Sequence, residues 1–155
     1  MPLSYKIVIA DTSCFILLDK IDELELLKRL FEEIATTEEI VQEFGKELPD
    51  WIKIESVKDK KYLTALELEV DKGEASAITL STEKANSLLI LDDLQARKLA
   101  EKLGLHYTGT LGMIARARRE GVIESVKPII EKIRNTNFRF SEEVFTTIMR
   151  IAGEE

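Results

Sequence analysis

Two short runs of the chain are almost unbrokenly apolar, and each stops on aspartate. Residues 5 to 10 (YKIVIA) lead into Asp11, and residues 87 to 91 (SLLIL) lead into Asp92 and Asp93. A strand with one face in water alternates apolar and polar side chains. A strand without that alternation is covered on both faces, as strands are inside a parallel sheet. Parallel neighbours cannot be joined by a tight turn and need crossovers of a dozen or more residues, usually helical.

The rest of the chain has that rhythm. DELELLKRLF (22 to 31) sets Leu24, Leu27 and Phe31, with Leu30 beside them, at helical spacing. A short strand at 33 to 35 runs into Thr36, which with Glu39 makes a capping box for the helix TEEIVQEF. WIKIESV (51 to 57) alternates as a strand, 59 to 70 reads as helix, and Gly73 precedes the helix EASAITLSTEKA. LQARKLAEKL is a helix ended by Gly104, and LHYTG (105 to 109) is a last short strand. Three helices follow, at about 110 to 120, 125 to 135 and 141 to 152, the last capped by Ser141. The pattern predicts a three-layer α/β/α fold around a central parallel sheet of about five strands. Residues 1 to 155 are expected to form one domain, helical from about 110.

Such a fold gives Asp11 a location. In open α/β sheets, ligands bind beyond the carboxyl ends of the strands, where the strand order reverses. If the strands ending at Asp11 and at the Asp92/Asp93 pair are neighbours there, their carboxylates converge, and Glu74, in the first turn of its helix, faces the same crevice. Carboxylates that meet without lysine or arginine between them raise one another's pKa unless a cation neutralises them. All-oxygen ligation suits Mg2+ or Mn2+ and does not suit zinc. The corresponding chemistry is attack of an activated water on a phosphodiester.

Composition is compatible with this. The chain is 45% apolar and 33% charged, an ordinary globular balance, and its longest apolar runs are far short of a membrane span. Cys14 is the sole cysteine, so an internal disulfide and a cysteine-based zinc cluster are excluded. No basic and apolar leader pattern opens the chain, and a reducing cytoplasm is the expected compartment. The net charge of −7 is unevenly spread: residues 112 to 140 carry seven Lys/Arg against three Glu, residues 1 to 111 fourteen against twenty-two Asp/Glu. Acid near a functional centre with base elsewhere suits a cation-dependent enzyme acting on a polyanion.

Five segments, in order, resemble the PIN domain: IVIADTS, TTEEIVQEF, DKGEASAITLS, LLILDDLQARKLAEKLGL and TGTLGMIARARREGVI. They are most similar to prokaryotic PIN-like proteins of the GEA…DD…GTLG type, akin to VapC-type toxin nucleases. The resemblance implies an Mg2+- or Mn2+-dependent ribonuclease with an acidic quartet at the carboxyl ends of a parallel sheet. The quartet falls on Asp11, on Glu43 in VQEF, on Glu74 in GEA and on one of Asp92 and Asp93, with Asp92 weighted slightly because it comes directly off the strand. Asp11, Glu74 and the Asp92/Asp93 pair would hold the metal, and Glu43 would orient water. Single-stranded RNA or tRNA is the implied substrate, a small antitoxin the implied partner, and homodimerisation is common among such proteins. Two features depart from the wider family: glutamate stands at the third position where many PIN nucleases have aspartate, and DDLQAR replaces a Thr-x-Asp segment, so the hydroxyl of that threonine has to come from elsewhere. A scaffold that binds RNA or a protein without cutting is the competing expectation.

Each residue also has a plainer reading. Asp11 on its own is a cap for the following turn. Thr12 and Ser13 steady Asp11 or bind phosphate, or are local turn hydroxyls. Thr110, in TGTLG, opens a helix whose N–H groups face a phosphate, or belongs to the turn and cap after a short strand. Arg116 and Arg119 share a helix face that holds an RNA backbone or is simply solvated. The one histidine, His106, reads as structural. A dehalogenase-type phosphatase would need a second aspartate at position 13, which is Ser13, and neither a Walker loop nor a dinucleotide glycine fingerprint is present.

Overall fold

The computed structural model describes residues 5 to 154. In chain order the elements are β1 (Ile7–Ala10), α1 (Thr12–Lys20), α2 (Glu25–Leu30), β2 (Ile34–Thr37), α3 (Glu38–Phe44), β3 (Ile52–Glu55), α4 (Lys60–Leu66), α5 (Lys72–Glu83), β4 (Ser87–Ile90), α6 (Leu94–Lys102), β5 (Tyr107–Thr108), α7 (Thr110–Arg119), α8 (Lys127–Arg134) and α9 (Glu142–Ala152). The strands form one all-parallel sheet in the order β3-β2-β1-β4-β5, within a three-layer α/β/α arrangement. Every residue of β1 and β4 is buried, as their unbroken apolar character requires. α5 lies across β1, β2 and β4, while α7 packs against α2 and α9.

The strand order places the functional end. From β1 the chain winds outward through β2 to β3, then returns to lay β4 on the other side of β1. Winding therefore reverses between β1 and β4, whose register pairs Ala10 with Ile90. The Asp11 N–H donates to the Ile90 carbonyl at 3.2 Å, so the chain turns off β1 beside the end of β4. Asp11 and the Asp92/Asp93 pair leave the sheet side by side.

Several local expectations shift. The pattern assigns no element between residues 12 and 21, yet α1 lies there, because Cys14, Phe15, Leu17 and Leu18 are spaced to bury one helical face. α2 is shorter than the 22 to 31 segment, since the backbone at Asp22 has φ +58 and breaks the helix before Glu25. β2 runs on to Thr37, and Thr36 is still paired in the sheet with Ile54. The cap of α3 is therefore Thr37, which accepts the Ile40 N–H, and the expected Thr36/Glu39 capping box does not form. The Thr36 hydroxyl instead donates to the Ala10 carbonyl. Gly73 lies inside the first turn of α5, which Asp71 caps. Among the described residues, no helix is long and apolar enough to cross a membrane.

Candidate active site

Three helices start at the reversal point, and each holds a carboxylate by its own backbone. Asp11 is the N-cap of α1 and accepts the Thr12 N–H at 2.7 Å. Asp93 is the N-cap of α6 and accepts the Ala96 N–H. At α5 the two acids of D-x-x-E cap reciprocally: Asp71 accepts the Glu74 N–H at 2.8 Å, and Glu74 accepts the Asp71 N–H at 3.2 Å. The capping role of Asp11 and its place in the crevice are thus one geometry. The helix dipoles offset part of the repulsion among these acids.

Glu43 reaches the group from α3. It is exposed, but one carboxylate oxygen accepts the Thr12 hydroxyl at 2.6 Å and the other the Gly73 N–H at 3.3 Å. Gly73 makes room for this contact: a Cβ there would lie 2.1 Å from Glu43 Oε1. A glycine within the first turn of a helix costs about 1 kcal/mol relative to alanine, and here the vacant position is filled by a carboxylate.

The electrostatics show which acids sense one another. Burial pushes the Asp11 carboxyl up to about 8; the Thr12 N–H opposes this, while Glu74, Asp71 and Glu43 add to it. Glu74 is raised to about 7, again chiefly by burial, then by Asp71, with Asp93 and Glu43 contributing. No lysine or arginine counts among the causes at either group. Asp71 belongs to this set although the sequence reading passes it over; its signal is the D-x-x-E spacing ahead of a helix, a capping pattern.

Asp92 behaves differently from its neighbour. One carboxylate oxygen accepts the Thr110 N–H at 2.8 Å and the other the Thr110 hydroxyl at 2.6 Å. The Arg97 guanidinium stands 3.9 Å away, itself anchored by donation from Nε to the Leu91 carbonyl. Gly109 accommodates that guanidinium, since a Cβ there would sit 1.9 Å from it. Asp92 thus fastens the start of α7 to the end of β4, while Asp93 is the member of the pair that acts on Glu74. Cys14 is fully buried beneath, and burial together with Asp92 pushes its thiol up, which keeps it protonated and inert.

The remaining candidates lie in different places. The Thr12 hydroxyl is committed to Glu43, and the buried Thr110 hydroxyl to Asp92. Ser13 faces a small groove with Ile16, Leu17, Lys20 and Phe138. Arg116 and Arg119 are toward the end of α7, whose first residue is at the crevice, so they lie about 9 and about 13 Å along the helix from it. Arg116 pairs with Glu120 and stacks over Phe31; Arg119 is exposed. His106 precedes β5, away from the crevice, with its ring 5.6 Å from that of Tyr5.

The donor set is chemically right for a hard divalent ion. It is all carboxylate, it is free of cations, and each of Asp11, Glu74 and Asp93 has one oxygen held by a backbone N–H, leaving the other oxygen for a ligand. As the side chains stand, no group of three or more His, Cys, Asp or Glu among the described residues is placed to hold a metal ion. The protons retained by Asp11 and Glu74 mark the same unmet need for positive charge that a cation satisfies.

The family profile DUF3368, described as a PIN domain, matches residues 7 to 154. No curated protein matches the chain. The chain belongs to this PIN-domain family, whose fold is of the nuclease type; PIN domains are generally nucleases, and those nucleases generally use divalent metals.

Proposed function

We propose that this PIN-domain chain is an endoribonuclease dependent on Mg2+ or Mn2+ that hydrolyses phosphodiesters in single-stranded RNA or tRNA. The observation that carries the reading is the gathering of Asp11, Glu43, Glu74 and Asp93 from four separate stretches at the reversal point, where burial and the neighbouring acids push the carboxyls of Asp11 and Glu74 upward. Asp11, Glu74 and Asp93 would hold the ion, with Asp92 beside them fixing the end of β4. A bound divalent ion there supplies neutralisation of the acids and of the scissile phosphate, and lowers the pKa of a coordinated water. Glu43, exposed at the rim and aimed by Thr12 and Gly73, orients the attacking water and accepts its proton. Burial of Asp11 and Glu74 keeps bulk water from screening these charges.

The role of toxin beside a small antitoxin, the cytoplasmic setting and homodimer formation belong to the same proposal, supported by the likeness to VapC-type nucleases and, for a reducing compartment, by the single buried thiol. A non-cutting scaffold that binds RNA or a protein is the second reading. It is favoured by one feature: both oxygens of Glu43 and both of Asp92 already have hydrogen-bond partners. The test is cleavage of single-stranded RNA by purified protein with Mg2+ or Mn2+, beside Asp11→Asn. Cleavage lost in the variant while its circular dichroism is unchanged supports the enzyme. Absence of cleavage by the wild-type chain with either ion leaves the scaffold.

A further inference from the structure

A cavity of about 490 Å3 opens beside the crevice, with Asp92 and Gly109 in its wall. Its size is within the range of small-ligand sites, roughly 300–1,000 Å3. The inner wall is the end of β4 and β5, with Asp92, Arg97 and Tyr107; the outer wall is the segment between α8 and α9, with Phe138, Arg139 and Phe140. That segment is braced rather than loose. The Thr136 hydroxyl donates to the Ile133 carbonyl and accepts the Phe138 N–H, and the Thr136 carbonyl accepts from Arg139. The Arg134 guanidinium lies 5.0 Å from the Phe140 ring centroid and steadies the ring.

We infer that this cavity is a nucleotide subsite that takes one base and its phosphate of single-stranded RNA next to the scissile position. The inference rests on the nuclease reading. Three aromatic rings offer flat surfaces of the kind on which unpaired bases stack, irrespective of sequence. Arg139 lines the cavity and enters no ion pair among the described residues, its hydrogen-bond partner being the neutral Thr136 carbonyl, so an anionic backbone can supply the missing counter-charge. Arg97 sits at the boundary with the acidic centre, half-turned to Asp92, and places a second positive charge where the strand passes. These two arginines place positive charge on the cavity side of the carboxylate cluster, where a polyanion can approach it. The C-terminal helical portion thereby has a purpose: it carries the outer wall.

The test uses two substitutions outside the carboxylate set. Val144→Trp fills the cavity from an exposed position on α9, and Arg139→Ala removes the unpaired charge. Binding of a fluorescein-labelled, random-sequence single-stranded RNA is measured on Asp11→Asn protein, which spares the probe, and cleavage kinetics are measured with Asp11 intact. Each substitution is expected to weaken binding about tenfold and to raise KM by a similar factor with kcat kept. Arg139→Ala should also reduce the slope of log affinity against log salt by about 0.7, the signature of one single-strand phosphate, and Arg139→Lys should restore the slope. Unchanged RNA binding in both variants overturns the subsite and fits a protein segment as the occupant of the cavity. If the wild-type chain cleaves RNA while both variants match it, the subsite fails and the nuclease reading stands. If it does not cleave but the variants lose binding, the nuclease reading fails, and with it the scissile position, while the cavity stands as an RNA-binding site.

Discussion

Asp92 and Asp93 are adjacent in the chain and have opposite circumstances. Asp92 is surrounded by donors: the Thr110 N–H, the Thr110 hydroxyl and, at longer range, Arg97. Asp93 has one backbone N–H, is otherwise exposed to solvent, and its charge is among those that raise Glu74. The first carboxylate is neutralised by the protein itself and serves architecture. The second belongs to a group whose charge the protein leaves unbalanced, and that imbalance is what a bound cation or a proton answers. Within one dipeptide the structure separates an acid tied to Thr110 and Arg97 from an acid that adds its charge to the Asp11/Glu74 cluster, the one proposed as a ligand.

The largest break in this contrast is expected from Asp11→Asn. It removes the most buried of the unbalanced acids while leaving a side chain that caps α1 equally well. Cleavage of RNA should fall by at least about 1,000-fold, the order of loss found when a transition-state charge stabiliser is removed, while the metal-free protein melts several degrees higher. A variant as active as wild type shows that Asp11 has no part in the chemistry. Next in size is the paired comparison of Asp92→Asn with Asp93→Asn. Asp93→Asn should cost more activity, about 100-fold, and little stability; Asp92→Asn should cost about 1 to 3 kcal/mol in a denaturant titration, because Thr110 loses a charged acceptor. Equal effects on both measurements would erase the distinction.

Gly73→Ala sharpens it from the side of Glu43. The new Cβ displaces the glutamate carboxylate, so activity should drop about tenfold, while stability holds or rises, since alanine favours the helix by about 1 kcal/mol. Loss of stability in parallel with activity would assign Gly73 a packing role alone. The last test is of pH dependence. In chelator, the folded protein keeps protons on Asp11 to about pH 8 and on Glu74 to about pH 7, whereas the unfolded chain has lost them above its ordinary carboxylate range. The folded state therefore binds more protons over that window, and stability contributed by these groups is full at acidic pH and is lost as pH rises through 7 and 8. Melting temperature should decline across that interval, and added Mn2+ should restore it most at the alkaline end; a profile that rises with pH contradicts the raised values.

The strands were legible because buried parallel strands need nothing but their own apolar runs, which mark β1 and β4 in residues 5 to 10 and 87 to 91; that their final aspartates leave side by side depended on the two strands being neighbours, which the strand order supplies. α1 was legible in principle too, through Cys14, Phe15, Leu17 and Leu18, but its apolar face follows so closely on β1 that the two run together as one stretch. The division of labour between Asp92 and Asp93 was not legible. It depends on where Thr110 arrives after β5, a tertiary fact with no local trace: its hydroxyl reaches Asp92 from eighteen residues further on. Nor was the Gly73 vacancy, which has meaning only once α3 and α5 are side by side.

The shared use of Asp11 and Asp93 as helix caps bears on how such a protein changes through descent. Asparagine caps a helix about as well as aspartate, so replacing either acid by asparagine would preserve its helix start and relieve the crowding of charge between them. The fold of this crevice therefore does not depend on the acids keeping their charge, so loss of the proposed activity and loss of the structure are separable by single substitutions.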